Sequence, residues 1–171
     1  MSGEMIVLRL LHVVCGVVWV GGVCMMHYVL LPATAQAGPG AGPVMAAIPQ
    51  QRLFRLMPWI AVVSMLAGVR LLGIASGGFT KAWFLTWPGH TYAVGGLLAI
   101  VGFTVAMLVS RPSGMRAGQL IAQLASAADD GERSRLQAEI AAARGRATRF
   151  GGLSTMLLLT ATVAMAIARY L

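Results

Sequence analysis

The stretch LLHVVCGVVWVGGVCMMHYVLL at residues 10–31 decides the fold, because its 22 residues carry no charged side chain. As an α-helix, a run of this length extends roughly 33 Å, which matches the roughly 30 Å hydrocarbon core of a bilayer. The run also holds two of the three histidines and both cysteines of the chain. Imidazole groups inside a membrane helix are uncommon and by default indicate a functional site. The sequence therefore predicts a membrane-spanning helix that carries polar chemistry.

The composition of the whole chain is typical of a membrane protein. Hydrophobic residues make up 58 % and charged residues 11 % of the 171 residues, against roughly 25 % charged in soluble domains. Three further apolar segments follow the first, and we predict four helices at about residues 5–31, 56–76, 88–110 and 152–170. We expect a single all-α integral membrane domain over residues 1–171, a four-helix transmembrane bundle with both termini on one side.

The connections between the apolar segments differ in character. Residues 32–51 are rich in Pro and Gly and predict a loop. Pro58 is expected in the first turn of helix 2, and Pro112 is expected to end helix 3. Within residues 113–149, apolar residues recur at three- and four-residue spacing. This spacing predicts a helical hairpin outside the bilayer, whose second arm runs straight into helix 4.

The distribution of arginine predicts the orientation of the chain. Most of its cations lie in the hairpin and just before helix 2: Arg52, Arg55, Arg111, Arg116, Arg133, Arg135, Arg144, Arg146 and Arg149. Loops rich in Lys and Arg stay on the cytoplasmic side, so we expect a cytoplasmic hairpin and termini outside the cytoplasm of a bacterial-type inner membrane. The net charge of +8 therefore indicates topology in a lipid bilayer and not binding of nucleic acid.

This topology brings polar residues of three helices to a common depth at the outer end of the bundle. His12 lies two turns inside helix 1, and His90 opens helix 3 from the same side. Because imidazole nitrogens ligate haem iron, both are candidate axial ligands of a b-type haem. Guanidinium groups can hold haem propionates, and small or flat side chains can line the macrocycle. The remaining candidate cofactor-binding residues are Arg9, Arg70, Gly16 and Trp19.

The candidate haem residues also have ordinary structural interpretations. A hydrogen bond from His12 to a carbonyl of a neighbouring helix would explain an imidazole at that depth. Arg70 could extend to the lipid headgroups, and His90 could be an interfacial residue. The spacing permits a haem site without requiring one.

At the inner end of helix 1, a second set of residues competes with the haem site. Cys24, Met26 and His27 offer the sulfur and imidazole ligands that favour Cu(I), so copper is the alternative cofactor. Methionine also fills gaps in apolar helices, and consecutive residues on a helix point in different directions. Ordinary packing is therefore the favoured interpretation of this set, and copper stays open as the alternative.

Part of the amino-terminal sequence resembles known membrane families. The string LHVVCGVVWVGG followed by LLP, then RLFRLMPW and AGVRLL, resembles the small four-helix domains grouped with the copper-resistance D-type proteins. The Leu-His start of helix 1 is also similar to the membrane haem-binding protoporphyrinogen oxidase family, which implies that His12 contacts haem. The resemblance covers about 65 residues. That oxidase family has a conserved lysine in a later helix, whereas the only lysine of this chain is Lys81.

The acidic residues predict no catalytic site within the membrane. They are Glu4 and four residues of the hairpin, which leaves no carboxylate in the apolar helices to pair as acid and base. We therefore expect a haem protein for electron transfer or haem handling, in which the residues indicate no catalytic site. Two alternatives stay open. One is a copper-handling membrane protein, and the other is a cofactor-free accessory subunit of a larger membrane complex or homo-oligomer.

Overall fold

Helices make up almost all of the structure. The computed structural model describes residues 3–171. At Pro39 and Ala46, within this range, it describes the backbone alone. It is 92 % helical, and four of its helices are long and apolar enough to cross a membrane, as predicted. We label these four helices α1 (Gly3–Ala37), α2 (Arg52–Ala75), α3 (Trp87–Leu124) and α4 (Asp130–Tyr170). A short helix at Lys81–Phe84 lies between α2 and α3.

The four long helices pack as two close pairs that share one core. α1 lies along α2 and α3 lies along α4, whereas the contacts between the pairs are fewer. Trp19, Ala61 and Leu158 are buried where α1, α2 and α4 meet. Phe103 of α3 packs edge-on against the Trp19 ring, with ring centroids 5.8 Å apart. Since every long helix contributes to this cluster, the pairs form one bundle.

Glycines bring α3 close to α4. A methyl group built on Gly102 would lie 3.3 Å from the Ser154 carbonyl oxygen, and one built on Gly95 would lie 3.3 Å from that of Ala161. The buried Ser154 hydroxyl in turn donates a 2.8 Å hydrogen bond to the Gly102 carbonyl. The backbones can therefore approach closely, as small residues allow in membrane helix pairs.

The chain before α2 is helical, so the prediction of a loop over residues 32–51 is wrong. Residues 32–37 complete α1, and short helical turns follow at Gly38–Ala41, Gly42–Ala47 and Ile48–Gln50. Pro43 and Pro49 stand in the first turns of two of these short segments, where a missing N–H removes no helical hydrogen bond. Pro32 lies inside α1, directly after a π-helical turn at Met25–Leu30. α2 begins at Arg52, earlier than predicted, which places Pro58 in its second turn and not its first.

The prediction that Pro112 ends helix 3 is also wrong, because α3 continues to Leu124. Just before the proline, the helix widens into a π-helical turn at Ala106–Ser110. There the Arg111 N–H bonds to the Ala106 carbonyl, five residues back instead of four. This wider turn gives the proline ring room and keeps the neighbouring backbone groups bonded.

The end of α3 and the start of α4 form a helical hairpin, as predicted. An apolar cluster separate from the bundle core holds the two arms together: Leu120, Leu124, Ala127, Leu136 and Ile140. Asp129 caps α4, since its carboxylate accepts a 2.7 Å hydrogen bond from the Glu132 N–H. The α-helix then runs without a break over Asp130–Ile167, so the second arm does continue into helix 4.

Candidate functional site

His12 and Ser64 connect α1 and α2 through two reciprocal hydrogen bonds. The Nδ1 atom of His12 lies 2.8 Å from the Ser64 carbonyl oxygen, and the Ser64 hydroxyl donates to the His12 carbonyl over 2.9 Å. Because a carbonyl oxygen only accepts, this bond places a proton on Nδ1, so Nε2 is the ring nitrogen left to bind a metal. The structural interpretation of His12, a bond to a neighbouring helix carbonyl, is therefore confirmed. The same bond orients the ring as in metal-bound histidines, whose other nitrogen donates to a carbonyl or carboxylate.

Two glycines make room for the contact between His12 and Ser64. A methyl group built on Gly68 of α2 would lie 2.8 Å from Cε1 and 2.9 Å from Nδ1 of His12, closer than side chains normally approach. On α1, a methyl group built on Gly16 would lie 3.3 Å from the Ser64 hydroxyl oxygen. Gly16, predicted to give a macrocycle clearance, therefore gives clearance to the buried Ser64 side chain.

Trp19 lies in the core of the bundle. Its side chain is 6 % exposed and packs with Ala61 and Leu158, and its ring meets that of Phe103. Side chains of α2, α3 and α4 therefore surround the indole of Trp19, which the sequence analysis predicts to contact the cofactor.

Arg70 has a carboxylate partner within the chain. Its Nη2 atom lies 2.6 Å from Oε1 of Glu4, and its Nε atom lies 2.9 Å from the same oxygen. The pair ties the carboxy-terminal part of α2 to the first turn of α1. Arg9 is exposed and forms no ion pair with any of residues 3–171. Of the two candidate propionate ligands, only Arg9 therefore has an uncompensated charge.

His90 lies in the first turn of α3, where its side chain is exposed. Its backbone N–H donates a 3.0 Å hydrogen bond to the Thr86 carbonyl. No hydrogen bond or ring contact joins His90 to His12 in the part of the chain that the structure describes. The structure thus brings His12 together with Ser64, and it shows no direct contact between His12 and His90 in the described residues.

His27, the second histidine of α1, lies against α4. It stands in a π-helical turn, Met25–Leu30, and a methyl group built on Gly152 would lie 3.0 Å from its Nε2 atom. Its Nδ1 atom is buried and has no hydrogen-bond partner among residues 3–171. Buried polar atoms without a partner are rare in folded proteins, and each calls for an explanation such as a bound water or ion. π-Helical turns are themselves frequent at functional sites.

The sulfur groups of the alternative copper set lie on the same helix as His27. Cys24 and Met26 are half-buried, as His27 is. Within the described residues, no group of three or more His, Cys, Asp or Glu side chains is placed to hold a metal ion. A copper site at this end would therefore need thioether ligands in addition to the imidazole and the thiol.

The sequence analysis does not assign Ser64, Gly68 or Glu4 to the site. A signal was present for the first two, since Ser64 interrupts the apolar stretch AVVSMLAG and Gly68 follows four residues later on the same helix face. Glu4 offered no such signal, because it stands 66 positions from Arg70 and the two meet only once α1 and α2 are paired.

No protein-family model matches the chain, and no curated protein and no solved structure matches it either. The resemblance to the copper-resistance D-type and protoporphyrinogen oxidase families stays a prediction. A functional proposal for this chain therefore rests on its own residues.

Proposed function

We propose that the protein is an integral membrane protein that binds a b-type haem and serves in electron transfer or haem handling. The observation that carries this proposal is the 2.8 Å hydrogen bond between Nδ1 of His12 and the Ser64 carbonyl. It fixes the tautomer of a half-buried imidazole and leaves Nε2 as the free donor atom, which is what an axial ligand requires. A bound haem would supply one-electron chemistry.

The other candidate residues fit a haem unequally. Arg9 offers a free cation for a propionate, whereas the charge of Arg70 is already balanced by Glu4. Ser64 fills the space beside Gly16, and the bundle core surrounds Trp19. We therefore propose binding at the outer rim of α1 instead of inside the bundle, with His12 as the first ligand.

A second ligand must come from elsewhere on the surface of the bundle. His90 is our candidate because it is an exposed imidazole in the first turn of α3. We expect its substitution to change the spectrum less than substitution of His12, because its side chain has no hydrogen-bond partner in the described residues to hold its orientation.

The absorption spectrum of the purified protein tests the proposal. A Soret band that shifts on reduction with dithionite supports haem binding. Absence of the band, when the cells are supplied with a haem precursor and the protein is purified from the membrane, would reject it. Metal analysis of the same sample separates a copper protein from a subunit without a cofactor.

Copper handling is the second candidate function, because Nδ1 of His27 is buried without a partner in the described part of the chain. Cu(I) binding would satisfy that nitrogen, and the thiol of Cys24 and the thioether of Met26 are ligands that this ion prefers. Copper that remains bound after dialysis, and that is lost in His27→Ala but not in His12→Ala, would support this function over haem binding.

We further propose that the hairpin is cytoplasmic and that both termini lie outside the cytoplasm of a bacterial-type inner membrane. The support is the positive charge of the hairpin, whose arginines are all exposed. In this orientation His12, His90 and Arg9 lie near the outer surface.

Cysteine labelling tests this orientation. In a background of Cys15→Ala and Cys24→Ala, we expect Ala125→Cys to react with an impermeant maleimide only after the cells are opened. Ala82→Cys, exposed at the opposite end of the bundle, is the matched control and should react in intact cells. The reverse pattern would place the proposed haem site on the cytoplasmic side.

The Glu4–Arg70 pair is expected to tune the reduction potential of a haem bound near it. Arg70→Gln removes a cation, which favours the more positive oxidised haem, so the potential should fall by on the order of tens of millivolts. Glu4→Gln removes an anion and should raise it by a similar amount. The double variant should return close to the wild-type value. A redox titration in which all three variants keep the wild-type midpoint would show that the pair lies far from the haem.

A further inference from the structure

Two adjoining clefts lie where α3 passes from the apolar bundle into the hairpin. The larger has a volume of about 510 Å³, and the smaller has a volume of about 230 Å³. Arg111 and Met115 line the larger cleft, Leu108 and Arg146 line the smaller one, and Pro112 and Arg116 line both. Cations from both arms of the hairpin therefore border one surface depression.

Two of the three arginines in these clefts have no acidic partner. Arg116 donates a 3.2 Å hydrogen bond to Glu139, which partly balances its charge. Arg111 and Arg146 are exposed and form no ion pair with any of residues 3–171. The clefts are therefore positively charged and suited to an anion.

The same clefts have an apolar wall. Leu108 is 72 % exposed and Met115 is 59 % exposed, and both lie within one turn of an arginine on α3. Leu108 lies near the end of the apolar stretch of α3, where hydrocarbon gives way to headgroups for a helix that crosses a membrane. A free phosphate ion would gain nothing from an exposed leucine, and a soluble acidic protein could not reach one that faces lipid.

We propose that these clefts bind an anionic phospholipid, with its phosphate between Arg111 and Arg146 and an acyl chain along Leu108. Basic pockets at the membrane surface are suited to anionic headgroups, and guanidinium groups can bind phosphate oxygens in pairs. The proposal does not depend on haem binding, and it holds whichever side of the membrane the hairpin faces.

A binding titration with the full-length protein in neutral detergent tests this proposal, with fluorescent phosphatidylglycerol as the probe and phosphatidylcholine as the neutral reference. Removing two arginines, at roughly fivefold each, should weaken phosphatidylglycerol binding by about 25-fold in Arg111→Gln/Arg146→Gln. Arg135→Gln/Arg169→Gln removes the same charge outside the clefts and should bind as wild type does. Arg111→Lys/Arg146→Lys keeps the charge and should retain most of the binding, which separates loss of charge from misfolding.

Three results would overturn the proposal. Equal binding of phosphatidylglycerol and phosphatidylcholine to the wild type would show that the clefts do not select anionic lipid, and would leave an acidic protein as the occupant to test. Equal losses in the cleft variant and in its control would show a general effect of charge. Displacement of the lipid by glycerol 3-phosphate at a comparable concentration would show that the apolar wall contributes nothing.

Discussion

Substitution of His12 by alanine is expected to abolish the haem absorption of the purified protein while the protein stays in the membrane. The reason is that Nε2 of His12 is the free imidazole nitrogen whose ring is held in place by the Ser64 carbonyl. Removing the side chain removes the ligand, and also removes the imidazole N–H that the Ser64 carbonyl accepts from α1. The reduced and oxidised spectra and the haem content per protein measure the effect.

His27→Ala is the matched control for this experiment. It removes the same imidazole from the same helix, but at the end where the ring packs against Gly152. We expect it to keep the haem spectrum. A normal reduced spectrum in His12→Ala would show that His12 is not a ligand of the haem. Loss of the haem spectrum in His27→Ala alone would place the cofactor at the other end of α1.

Replacing Gly68 by leucine is expected to destabilise the protein by about 3 kcal/mol, at the upper end of typical overpacking effects, and to lower the haem content sharply. Even the first carbon of a side chain there would lie 2.8 Å from Cε1 of His12, so either the ring leaves the Ser64 carbonyl or α2 moves away from α1. Both changes also misplace Nε2. Thermal unfolding in detergent should show a lower midpoint, by roughly 10 °C.

Gly96→Leu provides the comparison for Gly68→Leu. Gly96 is also a helical glycine in an apolar stretch, yet a methyl group built on it has no neighbour within 4 Å. We expect this variant to melt within a few degrees of the wild type and to keep its haem, since leucine is a better helix former than glycine. If Gly68→Leu behaved in the same way, the contact between Gly68 and His12 would not be needed to hold the imidazole.

The number and nature of the long helices could be predicted from the sequence. Apolar length and the spacing of apolar residues are properties of a local segment. The bilayer-length runs and the two hairpin arms can therefore be predicted without knowing which helices pack against them. Helix ends were predicted less well. Pro112 is a strong local signal for a stop, but packing of α3 along α4 keeps the helix continuous, and a π-helical turn absorbs the proline.

The candidate site could be predicted only in part. His12 was identifiable because an imidazole in an apolar helix is costly to leave without a partner. The side chains around it were assigned less well: Gly16 lies beside Ser64, Trp19 lies in the core, and Arg70 pairs with Glu4. Each of these assignments depends on the helix that faces the residue.

A single helix shows in its sequence which residues share a face, because the 3.6-residue period is local. Which face meets which neighbour is decided by the packing of side chains between helices, and residues such as His12 and Ser64 are separated by 52 positions along the chain. The local sequence therefore determines the helices of this bundle. The protonated nitrogen of His12 and the partner of Arg70 are determined only when α1 and α2 pack together, because hydrogen bonds and ion pairs require atoms within about 3 to 4 Å.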